Sequence, residues 1–232
     1  MIISLDLLNK LNKNYKNLSP QTILEESIKK TFNKKIVYIC SFGAESAIIL
    51  HMISNIDKAF PIVLLNTEFL FEETINYKNY LLRKFKLSNF KEFFPNKNDL
   101  AVNDEKGVLW KENPDLCCNI RKVLPLQKIL KNYDAWISGR KSYQVGDRKE
   151  LDFFEGLNDK VVVNPLANVD QSFVNSYFEE NQIKRHPLFK QGFLSIGCTN
   201  CTVKAISSQN PRSGRWYNKI KTECGIHYNL KK

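Results

Sequence analysis

Five of the six cysteines are spaced for two different kinds of chemistry. Cys117 and Cys118 are adjacent, Cys198 and Cys201 form a C-x-x-C pair far downstream, and Cys224 stands apart in Lys221-Thr222-Glu223-Cys224-Gly225-Ile226-His227. Four thiols in two close pairs point to a closed metal or cluster site, which the fold must assemble because the pairs are distant in sequence. An isolated thiol among charged neighbours points instead to a nucleophile. Lys221 and His227 lie close to Cys224, and positive neighbours raise the thiolate fraction.

Zinc and an iron–sulfur cluster both accept four thiolates. Zinc pairs usually keep two to four residues between ligands. Neighbouring positions on a helix diverge by about 100°, so Cys117 and Cys118 suit the separate corners of a cubane better than one small ion. Buried, unligated cysteines are the plainer alternative, and for Cys224 the plainer alternative is a free thiol on a frayed tail. Cys40 reads as core packing. His51 reads as a satisfied or exposed histidine, not a ligand.

The elements that must position these residues alternate between strand and helix. Ser19-Pro20 marks a helix start, and Leu24, Ile28 and Phe32 recur every fourth residue behind it. Apolar runs at 36–40 and 62–65 read as buried strands, 135–138 as a short strand and 161–163 as another, with a weaker strand at 90–94. Helices are predicted at 44–54, 71–85, 117–130 and 173–181, with Pro125 marking a kink or boundary inside the third. Alternation of this kind implies an α/β fold: a parallel sheet flanked by helices on both faces. Ligands of such sheets bind beyond the carboxyl ends of the strands. There Ser41-Phe42-Gly43-Ala44-Glu45, Asn66-Thr67-Glu68 and Gly139-Arg140 should meet. The first of these turns has small residues and a helix start suited to an anion, but it lacks Walker spacing and its lysine.

The chain has 232 residues, 43% of them hydrophobic. That is enough for one core without disulfide staples, and it predicts one α/β domain over residues 1–207 with a mobile arm at 208–232. The start lacks a secretory pattern, and no apolar run approaches a membrane span, so a cytoplasmic protein with reduced thiols is expected. The net charge of +11 comes from 35 Lys+Arg against 24 Asp+Glu. The lysines are dispersed, which fits solvated faces. Several arginines, among them Arg121, Arg140, Arg148, Arg212 and Arg215, lie beside cysteines or glycines, where a guanidinium suits phosphate or sulfate.

Together these elements resemble the assimilatory adenylyl-sulfate reductase branch of the PAPS/APS reductase family. The resemblance runs from about residue 36 to residue 227. It is carried by Ser41-Phe42-Gly43-Ala44-Glu45, Cys117-Cys118-Asn119-Ile120-Arg121-Lys122-Val123, Trp136-Ile137-Ser138-Gly139 and Asn164-Pro165-Leu166. Downstream it is carried by Gly197-Cys198-Thr199-Asn200-Cys201, Arg212-Ser213-Gly214-Arg215-Trp216 and Glu223-Cys224-Gly225-Ile226-His227.

The resemblance implies an adenine-nucleotide α-hydrolase-like fold and a 4Fe–4S cluster on Cys117, Cys118, Cys198 and Cys201. It implies that Cys224 attacks the sulfur of adenosine 5′-phosphosulfate, that AMP leaves, and that thioredoxin or glutaredoxin releases sulfite from a cysteine S-sulfonate. Substrate contacts are expected from Ser41, Phe42, Gly43, Ala44, Glu45, Thr67, Lys122, Gly139, Arg140, Lys141, Arg212, Arg215 and His227. A homo-oligomer is expected, with no nucleic acid or membrane partner.

The sequence departs from the family pattern at Lys141-Ser142, at Gln144-Val145 and at Arg185-His186-Pro187-Leu188-Phe189. Three other readings stand beside this one. They are reduction of the 3′-phosphorylated nucleotide, a tRNA-thiolating ATP pyrophosphatase, and a four-cysteine zinc module that binds nucleic acid. The second expects glycine and aspartate where Phe42 and Glu45 stand.

Overall fold

The computed structural model describes residues 3–144, 148, 150–207 and 210–227. Val145, part of one predicted departure, and residues 208, 209 and 228–232 of the predicted arm lie outside them.

Six strands form one sheet: β1 (Ile36–Ile39), β2 (Ile62–Leu65), β3 (Phe90–Phe93), β4 (Ala135–Ile137), β5 (Phe154–Leu157) and β6 (Lys160–Val163). Their order is β3-β2-β1-β4-β6-β5. All neighbouring pairs are parallel except β5–β6, a tight antiparallel hairpin at one edge. The expected parallel sheet is present, and β5 extends it into a mixed one. β5 escapes sequence reading because Phe154-Glu155-Gly156-Leu157 is short and holds a glycine.

Strand alternation divides the core in two. Val37, Val63, Trp136 and Val162 face one side, under Leu126, Ile129 and Leu130 of α8 (Leu124–Leu130). Ile36, Tyr38, Ile62, Leu64, Ala135 and Ile137 face the other. There they meet α2 (Pro20–Glu26) and α3 (Ser46–Ile56), with α1 (Leu5–Tyr15), α4 (Glu72–Lys84) and α9 (Gln171–Glu180) completing the layer. Both faces are therefore covered, as the continuous apolar strands require.

Two helices contain a wider turn than the sequence period suggests. The run of Leu24, Ile28 and Phe32 continues from α2 into a π-helical turn at Ser27–Thr31, where Phe32 N donates to Ser27 O at 3.1 Å. The predicted helix over 117–130 is three pieces. α7 (Pro114–Cys118) ends on the paired cysteines, a π-helical turn spans Asn119–Val123, and α8 begins with Pro125 in its first turn. Pro125 lacks an N–H, and at a helix start that donor is not needed. The boundary falls as expected, and the wide turn reorients Arg121 and Lys122 below the cysteines.

Two further helices, α5 (Lys97–Asn103) and α6 (Leu109–Glu112), bridge β3 to α7. Arg121 ties this segment to the sheet. Its Nη1 donates to Thr67 O at 2.9 Å and Glu68 Oε2 at 3.1 Å, its Nη2 donates to Asp104 Oδ2 at 2.7 Å, and it lies over the Phe69 ring at 4.1 Å. Asp104 also accepts from Leu109 N at 2.8 Å. Both ionic side chains are almost wholly buried, at 5% and 1% exposure. Removing Asp104 leaves the buried Arg121 only the half-exposed Glu68 as a carboxylate partner, so Asp104→Asn should cost about 3 kcal/mol in urea unfolding. A loss below about 1 kcal/mol would show that this pair does not anchor the cysteine helix.

Candidate functional site

A cavity opens where β1, β2 and β4 end. Its floor is the β1–α3 turn, with Ser41, Gly43, Ala44 and Glu45, and Thr67 follows from β2. Gly139, Arg140 and Lys141 enter from β4. The arm adds Arg212, Arg215, Cys224 and His227, and Lys122 reaches the cavity from the π-turn. Sequence-distant segments meet at the carboxyl edge because that edge is where a doubly covered sheet leaves room.

Phe42 lies differently from the rest of its turn. Its side chain is fully buried and meets Phe90 edge-on at 5.6 Å, while its backbone takes a positive φ of 51°. Only its backbone is left to face a ligand, in a conformation costly for a bulky residue and of the sort kept near functional sites. Cys40 is buried in the same core, and burial pushes its thiol up to about 12. His51 is partnered, with Nδ1 2.9 Å from the Tyr177 hydroxyl.

The two cationic residues of the β4 loop are engaged by protein carboxylates. Lys141 donates to Glu45 at 2.8 Å and to Gly139 O at 2.9 Å, and Tyr143 adds a 2.6 Å bond to the same carboxylate. These contacts outweigh burial and hold Glu45 below the usual carboxylate range. Arg140 turns to Glu155 and Asn164. The departure at Lys141-Ser142 thus coincides with a buried ion pair. The departure at 185–189 is a structural cap: His186 meets Thr74 Oγ1 at 3.0 Å and accepts from Leu188 N at 3.2 Å. Burial pushes its imidazole down to about 4.

A second, smaller cavity adjoins the first. Cys117, Cys118, Cys198 and Cys201 all line it, with Thr67, Arg121 and Lys122. Thr67, Lys122 and Cys198 line both cavities, so they form the partition. Cys198 and Cys201 bracket a short 3-10 turn (Thr199–Cys201), which Thr199 N anchors on Phe69 O at 2.7 Å. Thr67 Oγ1 stands 3.2 Å from Cys198 Sγ.

Burial pushes the Cys117 and Cys118 thiols up, to about 11 and about 12, and raises Cys201 also. Cys198 goes the other way: burial opposes its thiolate, but Lys122, Thr67 and Arg215 outweigh it. Lys122 shows the reciprocal effect, its charge favoured by Cys198, Cys224 and Cys118 against its own burial. Among the described residues, no group of three or more His, Cys, Asp or Glu side chains is arranged to hold a metal ion as it stands. The donor chemistry of four thiols around one cavity nevertheless fits a thiolate-bound cluster.

The arm lies against the body. Trp216 N donates to Cys201 O at 3.0 Å, Lys219 Nζ donates to Lys111 O at 2.9 Å, and Lys221 pairs with Asp115. Arg215 lies over Gly197, where a Cβ would stand 2.3 Å from its Nη2, so a side chain there would displace the guanidinium. It also covers the Trp216 ring at 4.4 Å. Among the described residues, no carboxylate pairs with Arg215 or Lys122, and both line the cavity, where the charge of Lys122 is shared with the thiols of Cys198, Cys224 and Cys118.

His227 stacks on Trp136 at 4.9 Å, and its Nδ1 is buried without a hydrogen-bond partner among the described residues. Burial, then Arg140, Arg148 and Arg212, push its imidazole well below the usual range.

Sequence reasoning gave no role to Glu223 or Gln144 and only noted Arg148, yet all three line the cavity. Glu223, at 6% exposure, pairs with Arg148 and Arg212. The available signal was an acidic residue placed directly before Cys224 in an otherwise basic arm.

A family model described as "Phosphoadenosine phosphosulfate reductase domain" matches residues 35–204. The chain is 40% identical to an adenosine 5′-phosphosulfate reductase of Mesorhizobium japonicum, over 92% of this chain and 84% of that protein. It is 37% identical to one of Bacillus cereus (strain Q1), over 86% of each. Among solved structures, phosphoadenylyl-sulfate reductase from Candida auris, in a phosphate complex, superposes with a TM-score of 0.73 at 26% identity, covering 88% of this chain and 99% of that one. An FMN adenylyltransferase of Candida glabrata shares the fold at 14% identity and TM-score 0.59, covering 87% and 72%.

Proposed function

The chain belongs to the phosphoadenosine phosphosulfate reductase domain family, and on that premise we propose that it reduces adenosine 5′-phosphosulfate to sulfite and AMP through a sulfonate on Cys224. It is an oxidoreductase of sulfate reduction. The observation that carries the finer reading is that Cys224 lines one cavity with the β1–α3 turn and with two cations, Lys122 and Arg215, that no described carboxylate neutralises.

The β1–α3 turn, with Ser41, Gly43 and Ala44, receives the nucleotide phosphate at its small residues and helix start. Thr67 and Gly139 border the same space, Glu45 holds Lys141 and so shapes the wall, and Arg140 stays tied to Glu155. The Cys224 thiolate attacks the sulfuryl sulfur, an S–S bond forms, the S–O bond to phosphate breaks, and AMP leaves with that electron pair. Lys122 and Arg215 offset the negative charge that accumulates as two anions meet, and Arg212 closes the same wall. His227, stacked on Trp136, fixes the ring side of the tail.

A dithiol of the thioredoxin or glutaredoxin class then attacks Cys224 Sγ, and sulfite departs. A second thiol of that partner resolves the mixed disulfide. Two electrons thus pass from the dithiol to the transferred sulfur, and Cys224 returns as a thiol.

Cys117, Cys118, Cys198 and Cys201 are the residues that would hold a 4Fe–4S cluster. When bound, the cluster supplies fixed charge beside Lys122 and no net electrons. A cytoplasmic, homo-oligomeric protein remains part of the proposal, as does mobility of the 208–232 arm, which rests against the body and opens to let the dithiol reach Cys224.

The likeness to the Candida auris enzyme favours a second reading, reduction of the 3′-phosphorylated nucleotide. An additional phosphate needs additional cations, and in this chain Glu155 and Glu45 already engage Arg140 and Lys141. Steady-state kinetics should therefore give a kcat/KM at least about tenfold higher for adenosine 5′-phosphosulfate. The reverse order would overturn the substrate assignment.

Cys224→Ser should abolish sulfite release while nucleotide binding and protein colour persist, and retained turnover would remove the nucleophile. After anaerobic purification, Cys198→Ala should lose both iron and acid-labile sulfide. Undiminished iron content would remove Cys198 from the cluster ligands.

A further inference from the structure

The two residues directly before Cys224 are gripped by guanidinium groups. Arg148 Nε donates to Glu223 Oε1 at 2.5 Å, and Arg212 Nη2 stands 3.2 Å from Glu223 Oε2. The same Arg212 Nη2 donates to Thr222 O at 2.7 Å. Arg148 also donates to Gln144 Oε1, and Gln144 Nε2 donates to Glu45 at 3.2 Å.

An unbroken polar chain therefore links Glu45 in the nucleotide turn to Glu223 beside the thiol. Both of its ends are fixed from a second direction: Glu45 by Lys141 and Tyr143, and Glu223 by Arg212. After Cys224 the backbone turns through Gly225 at φ 87°, Ile226 packs into the apolar face of the sheet, and His227 stacks on Trp136. The thiol is thus held on one side by ion pairs and on the other by apolar and aromatic contact.

We propose that Glu223 is the positioning residue of the Cys224 thiol: clamped between Arg148 and Arg212, its carboxylate docks the tail over the nucleotide cavity before substrate arrives and leaves Arg215 and Lys122 to receive the substrate's anionic group. The inference rests on Cys224 being the nucleophile. It assigns different work to neighbouring cations. Arg148 and Arg212 bind an anion belonging to the protein. Arg215 and Lys122, which no described carboxylate neutralises, serve the incoming one. Such a built-in anion fixes the nucleophile's approach without requiring substrate binding to order the tail, which favours turnover over affinity.

The test uses the anaerobically purified holoprotein. Cys224 is alkylated with iodoacetamide and its peptide followed by mass spectrometry, in parallel with steady-state kinetics. E223Q should raise the Cys224 alkylation rate at least about tenfold, because the open tail becomes populated. It should also lower kcat at least about tenfold, with KM for adenosine 5′-phosphosulfate changed by less than about threefold. R148Q should reproduce both effects, and the double variant should be no worse than either single one.

A merely structural defect would expose the core thiol Cys40 as well, so Cys40 alkylation must stay unchanged. If E223Q does not fold, R148Q carries the same expectation. Alkylation of Cys224 within twofold of the parent in both folded variants overturns the clamp. Sulfonate trapped on Cys224 alongside that result leaves the nucleophile standing without the clamp. Faster alkylation with no sulfonate ever formed upholds the docking and rejects the nucleophile.

Discussion

In the proposed reaction a thiolate and a sulfonucleotide, both anions, must come within bonding distance. Unless fixed positive charge stands around the meeting point, Coulomb repulsion in a partly buried cavity exceeds what a thiol can overcome. The rest of this structure can be understood as the means of holding a few cations unneutralised in a basic pocket that also contains acids. Lys122 and Arg215 meet that need. The remaining cations of the wall already have carboxylate partners within the protein: Lys141 has Glu45, Arg140 has Glu155, and Arg148 and Arg212 share Glu223, which leaves that pair one net positive charge.

This arrangement depends on elements far from the thiol. The π-helical turn after Cys118 brings Lys122 to the partition between the two cavities, and Arg121, one residue earlier, anchors that turn to Thr67 and Asp104. The cysteine pairs come from opposite sides, one at the end of a helix and one on a turn pinned to the chain after β2. A cluster held there would complete the wall behind Lys122. Gly197 leaves room for the Arg215 guanidinium close against the backbone, room that a side chain there would take.

Much of this was legible in the sequence, for identifiable reasons. Buried parallel strands are continuous apolar runs, so β1, β2 and β4 and the turns that follow them could be located. The cysteine spacing singled out the four thiols that share the smaller cavity and the fifth that lines the larger one. Pro125 marked a real boundary. The hairpin strand β5 was not legible, because four residues with a glycine carry no strand signal above background. The wide turns at 27–31 and 119–123 were not legible either, since hydrophobic period alone does not distinguish an α-helix from a local π-turn. The pairing of charges was the least visible feature. Arg140, Lys141, Arg212 and Arg215 look alike in a sequence, and only the fold shows which of them already have a carboxylate.

The central claim is that Cys224 receives the sulfonate, and it is tested most directly by intact-mass and peptide analysis after a single turnover without reductant. The oxygen-protected protein is mixed with adenosine 5′-phosphosulfate, quenched and digested. The account predicts one sulfonate on the peptide containing Cys224, released as sulfite when a dithiol is added. A sulfonate on another cysteine, or sulfite formed while Cys224 stays unmodified at every time point, would contradict it.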